Sequence, residues 1–128
     1  MKLLLDTHTF LWFIEGSPRL SGRARALIED EASEVFLSVA SLWEIAIKIS
    51  LDKLHLARPF GTLIPQQLSL NDITLLDITP DHAAGVITLP FHHRDPFDRL
   101  LIAQAQVEQM PIVGDDPAFD AYLVRRLW

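Results

Sequence analysis

The sequence contains no cysteine, which excludes a disulfide framework and any metal site built on thiolates. No apolar run approaches the roughly 20 residues that a membrane span needs. The chain also lacks internal repeats, low-complexity tracts and linkers. We therefore expect a single domain over residues 1–128 that does not enter a membrane. The absence of cysteine suits the reducing conditions of a cytoplasmic location.

Basic side chains are scarce, with 11 Lys and Arg against 17 Asp and Glu, and the formal net charge is −6. A strongly acidic protein repels the phosphate backbone, which argues against a non-specific nucleic-acid binder. A protein of this charge that handles RNA or DNA must supply positive charge locally. The hydrophobic fraction of 49% argues against disorder.

Short apolar runs alternate with amphipathic segments along the chain, a pattern typical of a three-layer α/β fold with a mostly parallel central sheet. The runs predict strands over residues 2–6, 34–39, 73–78 and 111–116. The amphipathic segments predict helices over residues 7–15, 22–31, 41–49, 79–87 and 95–110. Residues 50–70 predict a loop followed by a short helix, and residues 116–128 a helical turn with a possible last strand.

Acidic residues recur where the predicted strands end or the following helices begin. Asp6 ends the first strand, and Asp115 and Asp116 end the fourth. Glu44 and Asp98 fall in the first turns of predicted helices. Because sites in open α/β sheets lie outside the carboxyl ends of the strands, we expect these acids to converge at one edge.

Each acid also has a structural interpretation. Ser41 and Glu44 have the spacing of a capping box, and Glu44 can pair with Lys48 one turn later. Asp95 and Asp116 each precede a proline, as helix-capping residues often do. Several carboxylates on one edge would nevertheless repel one another by about 1 kcal/mol per close pair. A bound cation would relieve this repulsion, and an all-oxygen donor set suits Mg²⁺, with Mn²⁺ as a substitute.

Four segments together resemble the PIN-domain proteins, specifically toxin ribonucleases of the VapC type: LLLDTHTFLW, SVASLWEIAIK, HHRDPFDRLLIAQA and GDDPAFDAYLVRRLW. The resemblance runs nearly end to end, and DPFDRLLIAQA with its preceding HR is the most specific part. It implies a catalytic and metal-binding set of Asp6, Glu44, Asp98 and Asp116. Gly114 departs from the family, which often has Thr or Ser at this position.

The resemblance also implies an activity and partners. The activity is Mg²⁺-dependent hydrolysis of RNA that leaves a 5′-phosphate and a 3′-hydroxyl. The implied partners are a cognate antitoxin and a second copy of the chain, with operator DNA bound only through the antitoxin. Thr7, Arg94 and Arg99 are candidates for contacting the substrate, although Thr7 could instead cap the first helix and Arg99 could pair with Asp95. We interpret His92 and His93 as an exposed loop pair.

Two alternatives remain open at this level. A signalling receiver domain also gathers acids and Mg²⁺ at the carboxyl edge of a parallel sheet, but it needs a phosphoacceptor Asp ending its third strand and a Lys ending its fifth. Asp77 lies inside its predicted strand, and no Lys follows Lys53. The other alternative is a non-catalytic interaction module whose acids are only helix caps.

Overall fold

The computed structural model describes residues 1–128, and its centre is a five-stranded sheet in which all neighbouring strands are parallel. The strands are β1 (Lys2–Leu5), β2 (Glu34–Ser38), β3 (Ile73–Leu76), β4 (Ile112–Val113) and β5 (Arg126–Leu127). Their order across the sheet is β3-β2-β1-β4-β5. In a receiver domain the third strand lies beside the first, whereas here β1 lies between β2 and β4. The chain therefore does not have the receiver topology.

Six helices cover the sheet, which confirms the predicted three-layer α/β architecture. They are α1 (Thr7–Glu15), α2 (Gly22–Glu29), α3 (Val39–Ser50), α4 (Phe60–Leu70), α5 (Pro80–Ile87) and α6 (Pro96–Glu108), followed by a 3-10 turn over Pro117–Ala121. None of these helices has both the length and the apolar character that a membrane crossing requires.

Side chains from alternate positions of the strands feed two separate hydrophobic cores. Leu3 and Leu5 point to one face, where they pack with residues of the first four helices, including Phe10 and Ile45. Leu4 points to the other face, where it packs with α6 and with Phe119 of the 3-10 turn. Because successive strand residues face opposite sides, the continuous leucine run of β1 fills both cores at once.

The predicted start of α3 at Ser41 is wrong. The helix begins two residues earlier, at Val39, because Ser38 at the end of β2 is itself the cap and its Oγ accepts from the Ala40 N–H at 3.1 Å. Ser41 is consequently a buried helical residue. Glu44 lies in the second turn of α3, so it does not close a capping box.

The order of the strands creates a switch point between β1 and β4. From β1 the chain winds through β2 to β3 at one edge, and it then returns across the other face to β4 and β5. Connections leave β1 and β4 in opposite directions, which opens a crevice at their carboxyl ends. Asp6 follows β1 directly, and Gly114 follows β4.

Candidate metal centre and active site

An open groove of about 410 Å³ lies at the switch point. We call it the acidic groove, because four carboxylates line it: Asp6, Asp98, Asp115 and Asp116. Its remaining lining residues are His8, Trp12, Arg19 and Pro117. The convergence of β1, α6 and the segment after β4 thus follows from the topology, as the sequence predicted for Asp6, Asp98 and Asp116.

Asp6 is the most deeply buried of the groove carboxylates, with 4% of its surface exposed. It occupies the cap position of α1, but its side chain makes no capping hydrogen bond. Burial is the main cause that raises the pKa of Asp6 to about 7, with the Thr7 N–H opposing the shift and the charges of Glu44, Asp115 and Asp116 adding to it. A helix cap does not account for this carboxylate.

Asp98 lies in the first turn of α6, where Asp95 provides the cap. The Asp95 carboxylate accepts from the Phe97 N–H at 2.8 Å and from the Asp98 N–H at 3.3 Å, as predicted. The side chain of Asp98 is therefore free to face the groove. Burial first, and then the charge of Asp6, raise the pKa of Asp98 to about 7, while His93 acts in the opposite direction.

Glu44 lies behind the groove rather than along it. Its Oε1 is 2.8 Å from Thr7 Oγ1 and its Oε2 is 2.9 Å from Lys48 Nζ. Since a carboxylate only accepts, Thr7 donates its single hydroxyl proton to Glu44, and the Ser41 hydroxyl, 2.8 Å from Thr7 Oγ1, donates to Thr7 in turn. The expected Glu44–Lys48 pair is present, and Thr7 orients Glu44 instead of capping α1.

Asp116 contributes one oxygen to the groove and one to the backbone. Its Oδ1 accepts from the Ala118 N–H at 2.9 Å and caps the 3-10 turn. The ligand atoms of Asp98, Asp116 and His93 lie within 4.8 Å of one another. Asp116 can therefore cap the 3-10 turn with one carboxylate oxygen and offer the other to a ligand in the groove.

Gly114 permits the close approach of the chain after β4 to Asp6. A Cβ added at Gly114 would lie 3.1 Å from the Asp6 Cβ and 3.6 Å from the Phe119 ring. A side chain at position 114 would thus face Asp6 directly. In this chain the space is taken by the Asp6 side chain.

His93 is not the exposed loop residue that the sequence suggested, although its neighbour His92 is exposed. Its Nε2 lies 2.9 Å from Asp98 Oδ2 and 3.9 Å from Asp116 Oδ2. Its Nδ1 accepts from the Asp95 N–H at 3.2 Å, which assigns the ring proton to Nε2. The N–H is poorly aligned with the carboxylates, so this buried atom has no well-formed hydrogen bond.

The two arginines proposed to contact substrate have different surroundings. Arg99 is buried, and its guanidinium donates to the backbone carbonyls of Pro90 at 2.9 Å and Leu89 at 3.2 Å. It pairs with neither Asp95 nor the groove, and it holds the loop that carries His93. Arg94 is exposed, without an acidic partner within 4.0 Å, and remains available to a ligand.

The donor set fits a hard divalent cation. Asp6, Asp98 and Asp116 offer carboxylate oxygens from three separate segments, and the pKa of two of them is raised to about 7. Crowded carboxylates of this kind are the oxygen-rich ligands that Mg²⁺ and Mn²⁺ prefer. His93 fits less well as a ligand, because its Nε2 carries the proton when Nδ1 accepts a hydrogen bond.

Comparison with known proteins identifies the family. The model of the PIN domain matches residues 3–122. This chain belongs to the PIN domain family. Among curated proteins it is similar to Ribonuclease VapC16 of Mycobacterium tuberculosis, with 34% identity over 71 residues, 52% of this chain and 50% of that protein. The match thus spans about half the length of this relative.

Solved structures share the PIN fold at low sequence identity. A chain of VapBC2 from Rickettsia felis, bound to a promoter DNA fragment, has a TM-score of 0.75 at 15% identity, covering 99% of this chain and 98% of that one. A chain of DNA-bound VapBC from Salmonella typhimurium gives 0.67 at 16%, covering 99% and 97%. One from a toxin–antitoxin complex of Klebsiella pneumoniae gives 0.64 at 14%, covering 98% and 96%.

Proposed function

We propose that this PIN protein is a Mg²⁺-dependent endoribonuclease and the toxin of a type II toxin–antitoxin pair. One observation carries the proposal: Asp6, Asp98 and Asp116 line a single groove, and the pKa of both Asp6 and Asp98 is raised to about 7. Membership of the PIN family and the similarity to a curated ribonuclease support it.

In this proposal the residues of the site have different roles. Asp6, Asp98 and Asp116 would hold the metal directly, and a bound metal would supply an activated water and stabilise charge on the phosphate. Glu44 binds the metal directly or through water, and its orientation is held by Thr7 and Lys48. Mn²⁺ would substitute for Mg²⁺ because both are hard cations that prefer carboxylate oxygens.

The proposed partners follow from the acidity of the same groove. An antitoxin segment carrying Arg or Lys complements the groove electrostatically and would exclude the metal. The solved neighbours include toxin–antitoxin complexes, two of them bound to DNA, which supports a cognate antitoxin as partner. Pairing with a second copy of the chain, and operator DNA bound through the antitoxin, belong to the same proposal.

The decisive experiment measures cleavage of a single-stranded RNA by the purified protein with Mg²⁺, with Mn²⁺ and after exhaustive chelation by EDTA. The proposal expects cleavage with either ion and none without them. Asp98→Asn should abolish cleavage, and Asp77→Asn is the matched control because Asp77 is exposed and outside the groove. Activity that survives chelation would contradict the metal mechanism.

A further inference from the structure

The acidic groove has a second wall that carries no carboxylate. We call it the α1 rim and define it as His8, Trp12 and Arg19. His8 and Trp12 lie one turn apart on α1 and therefore share a face. Arg19 follows the end of α1, where Gly16 adopts φ +64° and reverses the chain. The α1 rim and Asp6 therefore line the groove from the two ends of one segment, the helix α1 and the residues next to it.

Trp12 organises the rim. The His8 ring lies 5.8 Å from the Trp12 ring at 33°, and the Arg19 Cζ lies 6.0 Å from it. Trp12 is itself supported by Trp128, whose ring meets it edge-on at 5.9 Å. A half-buried indole therefore holds an exposed imidazole and an exposed guanidinium beside the carboxylates.

Arg19 is the only Lys or Arg that lines the acidic groove, and it forms no ion pair within 4.0 Å. Other basic groups nearby are already engaged: Lys48 pairs with Glu44, and Arg126 pairs with Asp120 at 2.9 Å. In a chain of net charge −6, an uncommitted guanidinium at this place can offset the repulsion of a phosphate.

We propose that the α1 rim binds the nucleotide next to the scissile phosphate of a single-stranded RNA, with Arg19 on the flanking phosphate and the His8 ring against the flanking base. The inference rests on the proposed ribonuclease function. His8 has 56% of its side chain exposed, which leaves room for a base. Stacking on a ring tolerates any base and requires an unpaired strand.

The test measures binding separately from cleavage. A fluorescein-labelled single-stranded RNA of mixed sequence is titrated with full-length protein in Ca²⁺, and anisotropy is followed over a range of salt. Arg19→Gln removes the rim charge, and Arg23→Gln is its matched control because Arg23 is exposed and outside the groove. Melting temperatures of both variants exclude misfolding as a cause.

We expect Arg19→Gln to weaken RNA binding roughly five- to tenfold and to reduce the slope of log K against log salt by about 0.7, the value for one phosphate contact on a single strand. Arg23→Gln should bind like the parent. His8→Ala should weaken binding of the RNA and spare an abasic ribose-phosphate oligomer, whereas Arg19→Gln should weaken both.

Equal RNA binding by Arg19→Gln and Arg23→Gln would overturn the rim site, whether or not the parent cleaves RNA. The same holds if Arg19→Gln changes only the affinity for the antitoxin, since the rim would then be a protein contact. Arg19-dependent binding by a parent that cleaves no RNA would retain the rim and reject the nuclease. The experiment therefore distinguishes a failure of the rim site from a failure of the proposed ribonuclease function.

Discussion

His93 Nε2 lies 2.9 Å from Asp98 Oδ2, while His93 Nδ1 accepts the N–H of Asp95 at 3.2 Å. The contact of Nδ1 with the Asp95 N–H determines what Nε2 can do beside Asp98. A histidine that ligates a metal offers a lone pair, but the Nε2 of this tautomer carries the proton. The proximity of His93 to Asp98 and Asp116 therefore does not make it a further metal ligand. The Nε2–H of His93 instead lies beside the carboxylates that would hold a metal.

Replacing His93 by Asn tests this role, because Asn retains an acceptor for the Asp95 N–H and removes Nε2. We expect Mn²⁺ affinity, measured by isothermal titration calorimetry, to stay within about twofold of the parent or to tighten, since no N–H then competes for Asp98. A histidine ligand predicts the opposite, a loss of at least about tenfold. His92→Asn is the control, because His92 is exposed and packs on Tyr122.

Asp6→Asn should show whether Asp6 is a carboxylate repelled by its neighbours or a helix cap. A carboxyl whose pKa is raised from 3.8 to about 7 stabilises the folded state at pH below about 4 and loses that contribution as the pH rises through about 7. The metal-free variant should therefore match the parent near pH 4 and exceed its free energy of unfolding increasingly as the pH rises, by about 1–2 kcal/mol near pH 8 from the relief of close repulsive pairs alone. Urea unfolding at both pH values measures the difference.

Added Mg²⁺ should stabilise the parent through binding to the folded state, and it should stabilise Asp6→Asn clearly less. Asp77→Asn removes an exposed carboxylate instead and should respond to Mg²⁺ like the parent. If Asp6 were a helix cap, Asp6→Asn would lose stability at both pH values and Mg²⁺ would affect all three proteins alike.

The raised pKa values also predict how metal binding depends on pH. Protons must leave Asp6 and Asp98 before both can bind a cation, and the pKa of each is about 7. The apparent Mg²⁺ affinity, and cleavage at limiting Mg²⁺, should thus rise from about pH 6 to pH 8 and level off above. A profile that is flat over this range, measured with RNA cleavage and with calorimetry, would argue against protonated ligands in the metal-free protein.

Asp95 and Asp98 lie three residues apart but should behave differently. Asp95→Ala removes two capping hydrogen bonds and should cost about 0.5–2 kcal/mol of stability, with cleavage reduced mainly through instability. Asp98→Asn should abolish cleavage with little effect on melting. Thermal denaturation and cleavage of both variants, measured together below the melting transitions, test the assignment. The reverse pattern would transfer the catalytic role to Asp95.

The fold was predictable because its strands are marked by apolar runs and its helices by caps. LLL of β1 and VFLS of β2 contain the buried leucines that fill both cores, and Ser21, a residue type typical of helix starts, caps α2. The ends of the strands were harder to predict from the sequence. The run over residues 111–116 has the composition of a longer strand, but β4 covers only Ile112 and Val113, because the chain bends at Asp115 and enters the 3-10 turn.

The carboxylates of the groove were predictable because each directly follows a strand or opens a helix, and topology then brings them together. His93 and Arg19 were not, since the position of each depends on a loop conformation, and distant residues hold the loop of His93. The backbone N–H of His93 donates to Tyr122 Oη at 2.8 Å, and Arg99 holds the preceding carbonyls. No local pattern in the sequence encodes such contacts.

Gly114 offers a final test of how closely Asp6 must be held. A Cβ at this position would lie 3.1 Å from the Asp6 Cβ, closer than ordinary van der Waals contact between carbons. Since Asp6 is buried, Gly114→Ala can be accommodated only by displacing Asp6 or the chain after β4. Either movement alters the distance between Asp6 and Asp116, both of which would hold the metal ion.

We therefore expect Gly114→Ala to weaken Mn²⁺ binding by about two- to fivefold and to reduce cleavage at least as much, because the shift that it requires uses much of the roughly 0.5 Å within which metal ligands must be held. Gly61→Ala is the matched control, since a Cβ at Gly61 meets nothing within 4 Å. In an Asp6→Asn background the additional effect of Gly114→Ala on Mn²⁺ binding should largely disappear, as a double-mutant cycle would reveal. Additive effects in that cycle would mean that Gly114 acts on the groove independently of Asp6.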